Sequence, residues 1–177
     1  MQKYASPWRL SVLNVLFLCT GNSARSILAE VILNELGRDV FRAYSAGSHP
    51  AGQVNPGALQ KLAAEGHSVQ GLSSDSWEKY SGDGAPELDV GITVCDNAAG
   101  ESCPVWSGSP VTAHWGIPDP AAFQNRDEQR IAFDVAYAQL RRRIEAFLKL
   151  PHKPRSHEEA ARLLQQIHRE ESQHESI

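Results

Sequence analysis

The chain has 177 residues and a mass of 19.4 kDa, the size of one compact domain, with room for a tail. Hydrophobic residues at 41% and charged residues at 21% exclude wholesale disorder. A formal net charge of -4 and a pI near 6.0 put nucleic-acid binding behind other classes, and no apolar run approaches the roughly 18 residues of a membrane-spanning helix.

The predicted elements begin with Ser11 to Leu18, a nearly continuous apolar run that reads as a buried strand of a parallel sheet. A helix follows over Ser26 to Leu36, with Ile27, Ala29, Val31, Leu33 and Leu36 as its apolar positions and Gly37 placed to cap it. Phe41 to Ala46 is a second strand. Asn55-Pro56 is an N-cap followed by proline at the first helical position, opening a helix that runs to Glu65. Leu88 to Val94, interrupted by Gly91, and Val111 to Trp115 supply two further strands. Cys95 to Pro110 between them, rich in Gly, Ser, Pro and Asn, reads as a loop. Asp127 to Leu150 is helical, with Ile131, Val135, Leu140, Ile144 and Phe147 as core candidates and Arg141-Arg142-Arg143 as its wet face and end. Strands alternating with helices predict a doubly wound parallel sheet. The domain is expected over residues 1–150, followed by a charged, His-rich extension over 151–177, whose SHEEAARLLQQIHREE can form an amphipathic helix. His152, His157, His168 and His174 lack the compact spacing of a metal site, so no metal is expected there.

Met1 to Cys19, with Lys3 and Arg9 ahead of an apolar stretch, has the outline of a short secretory or lipoprotein signal. Phe17 and Leu18 occupy positions where cleavage wants small residues, so a cytoplasmic location is expected. Three cysteines are too few and too odd in number for a disulfide scaffold, which points to thiol chemistry.

The most informative segment is Cys19-Thr20-Gly21-Asn22-Ser23-Ala24-Arg25-Ser26, a Cys-x5-Arg loop between a buried strand and a helix start. A loop in that place turns successive backbone N–H groups inward, and the helix N-terminus adds its partial positive charge, so residues 20–26 are expected to bind a tetrahedral oxyanion. Arg25 can grip two oxygens of that anion. The same field favours a thiolate at Cys19, expected to titrate at about 3.5–7.5 instead of about 8.5, and Ser26 is placed to donate to its sulfur. Gly21 allows the tight turn and Asn22 tolerates left-handed dihedrals. The blander alternative makes Cys19 a buried small hydrophobe ending a strand and Arg25 a surface residue.

VLFLCTGNSARS with its following AE resembles the signature of the low-molecular-weight tyrosine phosphatase superfamily. From about Val12 to Phe147 the chain looks most like that superfamily's thiol-dependent arsenate reductases. The likeness is carried by YSAG (Tyr44 to Gly47), VNPGA (Val54 to Ala58), TVCDNAAGESCPVW (Thr93 to Trp106) and HWGIPDP (His114 to Pro120). It implies an α/β three-layer fold, a four-stranded parallel sheet flanked by helices, and reduction of arsenate to arsenite. It also implies that phosphate or sulfate can occupy the arsenate site. Asp119-Pro120 falls at the superfamily's acid position, where a carboxylic acid protonates the leaving oxygen; Ile117-Pro118-Asp119-Pro120 is also turn chemistry in its own right. The resemblance implies a cascade in which Cys19 forms an arsenic adduct, Cys95 displaces arsenite by making a Cys19–Cys95 disulfide, and Cys103 attacks Cys95. No cofactor is bound, and an external thioredoxin or glutathione/glutaredoxin system restores the thiols. The CDNAAGE version of the Cys95 loop departs from the thioredoxin-linked members and leaves the donor open.

Cys95 and Cys103 stand eight positions apart, roughly 26 Å if extended and about 12 Å if helical, whereas a disulfide needs α-carbons about 5.5 Å apart. The segment must therefore fold back or remodel. Ala24 stands where related tyrosine phosphatases carry a second loop cysteine, and Ala121-Ala122 where they place aromatics against a phosphotyrosine ring. Asn22, Glu30 and Ser45, with Asp75 less securely, match positions that support the loop and in some relatives help bind potassium. The competing functional readings are a phosphotyrosine or phosphomonoester phosphatase and a non-enzymatic oxyanion sensor; Asp119 speaks against the sensor, since binding alone needs no acid.

Overall fold

The structure is a computed structural model that describes residues 12–151 and 156–175. The basic segment with Lys3 and Arg9, and His152 in the extension, lie outside the described residues. Four strands, β1 (Leu13–Cys19), β2 (Phe41–Gly47), β3 (Val90–Thr93) and β4 (Val111–His114), form one parallel sheet in the order β2-β1-β3-β4. The helices that flank it are α1 (Arg25–Leu36), α2 (Pro56–Ala64), α3 (Asp96–Ala99), α4 (Arg126–Leu148) and α5 (His157–His174).

β1 lies inside the sheet and is covered on both faces, which explains its unbroken apolar run. Val15, Phe17 and Cys19 point into the larger core with Ile27, Ile32, Leu33, Leu140 and Ile144. Leu16 and Leu18, one residue out of phase, pack on the opposite face with Ala46, Tyr80, Leu88 and Trp106. Because β2 and β3 flank β1 on opposite sides, the strand order reverses between β1 and β3. The crevice beyond the carboxyl ends of the strands at such a reversal is where open α/β sheets bind ligands. Cys19 ends β1, and Cys95 follows β3 by two residues at that same edge.

Local chemistry sets the helix starts. Asn55 Oδ1 accepts from Gly57 N at 2.8 Å with Pro56 at the first position of α2, Asn125 Oδ1 accepts from Asp127 N at 2.8 Å, and Ser156 Oγ accepts from Glu159 N at 3.1 Å. The α1 N-cap is Ala24, which makes no side-chain cap hydrogen bond, and the Ser26 backbone N–H in the first turn is turned to Cys19 instead.

Several expectations are corrected. The loop after β3 contains the single turn α3, with the Cys95 side chain as its N-cap accepting from Ala98 N at 3.4 Å. Ile131 and Val135 are 55% and 49% exposed, because the core face of α4 is Phe133, Ala136, Tyr137, Leu140, Ile144 and Phe147. Leu36 is exposed, and α1 instead buries Ile27, Leu28, Ile32 and Leu33.

Arg143 is not on a wet face. It is fully buried under α5, with Glu175 receiving both its terminal nitrogens at 2.6 and 3.1 Å, and it donates to Gln139 O and Ser172 Oγ. A periodicity argument cannot see that a later helix covers that position. α5 also buries Leu164 and Ile167 and accepts the Trp115 indole N–H at Leu164 O, 2.9 Å. Removing one side of a buried charge pair leaves the other uncompensated. Glu175→Ala should therefore lower the unfolding free energy by about 3 kcal/mol, read from urea denaturation midpoints at an unchanged slope; a loss near zero would show that the pair contributes nothing net.

Candidate active site

The loop 19–25 is shaped from outside. The carbonyls of Thr20, Gly21 and Ser23 accept from the backbone N–H groups of His49, Ala51 and Asn55, each at 2.9 Å, and Gly21 O also accepts from Ser74 Oγ at 3.1 Å. A peptide plane whose C=O points outward aims the following N–H inward, so these bonds turn the amides of Gly21, Asn22 and Ala24 toward the loop centre. One of them is already engaged: Asn22 N donates to Cys19 Sγ at 3.1 Å. Asn22 adopts φ 42, the left-handed conformation that turn chemistry allows it. Gly47 permits the approach, since a Cβ there would stand 2.4 Å from Thr20 O and 2.9 Å from Asn22 N.

A directed chain of hydrogen bonds ends on the sulfur. Asp75 N donates to Asn22 Oδ1 at 2.7 Å, and Asn22 Nδ2 donates to Ser26 Oγ at 2.9 Å. The Ser26 hydroxyl, accepting from Asn22, is thereby oriented to donate to Cys19 Sγ at 2.9 Å. Burial nevertheless pushes the Cys19 thiol up from its ordinary value; Ser26 draws it down, the nearby Cys95 pushes it further up, and the Asn22 amide draws it down. The low thiolate range read from the sequence is therefore opposed by burial.

Arg25 arches toward the acid segment, donating to Ile117 O at 3.0 Å and standing 3.6 Å from Asp119 Oδ2. Asp119 is half-exposed, and its other oxygen accepts from Ala121 N at 3.1 Å, so the carboxylate also caps the short 3-10 turn Pro120–Ala122. Asp119 thus fills the turn role while standing beside the Arg25 guanidinium. Thr20 Oγ1 lies 3.7 Å from Cys95 Sγ and donates to Glu101 Oε1 at 3.5 Å. All three cysteines are free thiols: Cys19 and Cys95 buried, Cys103 exposed with its Sγ 3.8 Å from Glu101 O. Partial burial and Glu101 push the Cys103 thiol up.

Ser23 and Ala24 complete the loop, with Ala24 buried at the α1 N-terminus. Behind it, Ser45 donates to Glu30, whose carboxyl burial pushes up, and Lys79 pairs with Asp75 at 3.0 Å. Hydrogen bonds from Ser73 and Lys79 hold Asp75 below its ordinary range. The backbone donors at His49, Ala51 and Asn55, the Ser74 hydroxyl and Glu101 were not legible in the sequence. Phe123 was also missed: with Pro118, Pro120, Ile131 and Val135 it lines an apolar groove of about 430 Å³ reaching Asp119.

Comparison with known proteins accords with this geometry. The model of the family "Low molecular weight phosphotyrosine protein phosphatase" matches residues 14–170. An arsenate reductase of Bacillus subtilis (strain 168) is 34% identical over 119 residues, which is 67% of this chain and 82% of that one. A solved arsenate reductase in the phosphate binding state shares 26% identity at a TM-score of 0.63, covering 77% of this chain and 97% of its own. Another, in the oxidized state, shares 26% identity at a TM-score of 0.60, covering 75% of this chain and 93% of its own. The chain belongs to the low molecular weight phosphotyrosine protein phosphatase family, with arsenate reductases among its relatives.

Proposed function

We propose that this protein reduces arsenate to arsenite through its three cysteines. The observation that carries the reading is the position of Cys95: a second buried thiol, set against Thr20 of the anion loop and close enough to Cys19 to raise its thiol. A phosphatase has no use for it. Arsenate binds in the loop formed by Thr20, Gly21, Asn22, Ser23, Ala24, Arg25 and Ser26, with Arg25 leaving Ile117 O to clamp two of its oxygens. Cys19 attacks arsenic as a thiolate, forming a sulfur–arsenic bond, and Asp119 protonates the departing oxygen, which leaves as water. Cys95 attacks the Cys19 sulfur. The S–S bond forms, the S–As bond breaks, and its electron pair passes to arsenic, which leaves as arsenite. Cys103 then attacks the Cys95 sulfur, expelling Cys19 as thiolate, and the resulting Cys95–Cys103 disulfide is reduced by an external thiol system, thioredoxin or glutathione with glutaredoxin. Arsenate-driven NADPH consumption, run separately with each system, distinguishes the two donors.

A second reading, an aryl phosphomonoester phosphatase, is favoured by the groove beside Asp119, because Phe123, Ile131 and Val135 supply the apolar wall that Ala121 and Ala122 lack. The cysteines separate the readings. Cys19→Ser should abolish both arsenate reduction and aryl phosphate hydrolysis, since a serine hydroxyl is hardly ionised near neutrality. Cys95→Ser should stop arsenate reduction and leave aryl phosphate hydrolysis largely intact. Cys103→Ser should allow one turnover and trap Cys19–Cys95, seen by mass spectrometry of peptides after arsenate treatment without reductant, where the unsubstituted protein accumulates Cys95–Cys103. If arsenate oxidises no thiol while phosphotyrosine is hydrolysed efficiently, the phosphatase reading replaces this one.

The pH dependence of the nucleophile has a fixed sign. Burial and Cys95 raise the Cys19 thiol while the Ser26 hydroxyl lowers it. Alkylation of Cys19 by iodoacetamide, which consumes the thiolate, should therefore rise as pH increases through neutrality. Ser26→Ala should displace that curve to higher pH and slow the reaction at pH 7 by about tenfold, the loss of one charge-assisted hydrogen bond; a superimposable curve would remove Ser26 from the site.

A further inference from the structure

The turn that holds Cys95 has contradictory tasks. It keeps the Cys95 thiol buried at the loop that follows β1, yet in the proposed relay it must release that thiol to Cys103, which stands exposed beyond the turn. Its own cohesion is slight. α3 is a single turn, closed by Ala98 N to Cys95 Sγ at 3.4 Å, Ala99 N to Cys95 O at 3.3 Å and Gly100 N to Asp96 O at 3.3 Å, and a lone turn is not self-supporting in water.

On its inner side the turn is held by buried Ala98 and by Thr20, which meets Cys95 Sγ and Glu101; on its outer side it is held by Asp96, the residue after Cys95. Its Oδ1 lies 2.8 Å from His114 Nε2, and the other ring nitrogen of His114 lies 2.8 Å from Thr93 Oγ1. His114 is itself fixed by α5: its backbone N donates to Gln165 Oε1 at 3.2 Å, its carbonyl accepts from Gln165 Nε2 at 3.3 Å, and its ring stands 5.8 Å from that of His168. The space for the pair is reserved by Gly116, where a Cβ would come within 2.5 Å of Asp96 Oδ1 and 2.6 Å of His114 Nε2. The Asp96 side chain is 92% exposed, so the bond is made in water, where such a pair is weak enough to break in every turnover.

We propose that His114 and Asp96 form a releasable latch, positioned by Gln165 and Gly116, that holds α3 closed over Cys95 and governs when that thiol becomes accessible to Cys103. The proposal rests on the reductase reading, in which Cys95 must change partners. His114 is here a positioning residue: it meets neither substrate nor sulfur, and acts through Asp96.

The test reads Cys95 alone and needs no arsenate. The native protein is treated with iodoacetamide, and labelling of Cys95 and Cys103 is followed over time by peptide mass spectrometry. Asp96→Ala, His114→Ala and Gly116→Ala should each accelerate Cys95 labelling about two- to fivefold, the factor expected from losing one exposed charged hydrogen bond, with Cys103 labelling unchanged. Asp96→Asn keeps an acceptor for a His114 N–H but removes the charge at the helix start, and should return labelling to the rate of the unsubstituted protein. If Asp96→Ala labels Cys95 at that rate, the latch does not exist. If Asp96→Asn labels as fast as Asp96→Ala, Asp96 acts through its charge on the helix and not through His114, and the proposal is equally overturned. The exposure of Asp96 makes its variants safe for folding, so a Gly116 variant that fails to fold does not leave the question open. Failure of the reductase reading shows separately, as absence of thiol oxidation by arsenate.

Discussion

The site depends on the outward capture of three loop carbonyls by the segment 49–55. A chain that curls around an anion with its amides inward gathers like dipoles at its centre and leaves its carbonyls needing partners. Here those partners are the backbone N–H groups of His49, Ala51 and Asn55, joined by the Ser74 hydroxyl on Gly21 O. The arrangement is preorganised for the proposed anion, since the loop amides are already turned inward, which is the condition under which such dipoles stabilise charge. Asn22 ties the two layers together: its side chain accepts from Asp75 N and donates to Ser26, and its left-handed backbone makes the curl. Gly47 belongs to the same device because any larger residue would push β2 away from Thr20 and Asn22.

The three thiols lie along a gradient of exposure. Cys19 is buried in the loop, Cys95 is buried beside it at the strand crossover, and Cys103 is exposed in the segment that follows α3. Burial makes a thiolate at Cys19 costly, and the neighbouring Cys95 adds to that cost. In the proposed relay, the exposure of Cys103 suits delivery of the oxidation to a partner that cannot enter the crevice.

The same crevice is supported from the far side by α5. Gln165 bonds both main-chain groups of His114 and so covers the outer edge of β4, Trp115 is pinned to Leu164 O, and Arg143 is neutralised by Glu175. A helix that the sequence presents as an appendage is thereby built into the support of the segment running from β4 to Asp119.

Much of this was legible in the chain alone. The buried first strand, the Cys-x5-Arg loop, the helix caps at Asn55 and Gly37, and the cysteines themselves are local statements, written in residue type and spacing. The four-stranded parallel sheet followed from alternation and resemblance. What the sequence did not contain is anything made by backbone groups far apart in the chain: the amides of His49, Ala51 and Asn55 carry no residue signature, and Asp75 meets Asn22 through its N–H. Nor could periodicity place Arg143 inside or Ile131 and Val135 outside, because which stripe of a long helix is covered depends on which helices pack on it, α5 over Arg143 and α2 against Phe133. Local chemistry thus determined which residues could act. Tertiary packing decided the direction in which their dipoles point and the depth at which their thiols sit, because both are set by partners that chain order does not bring together.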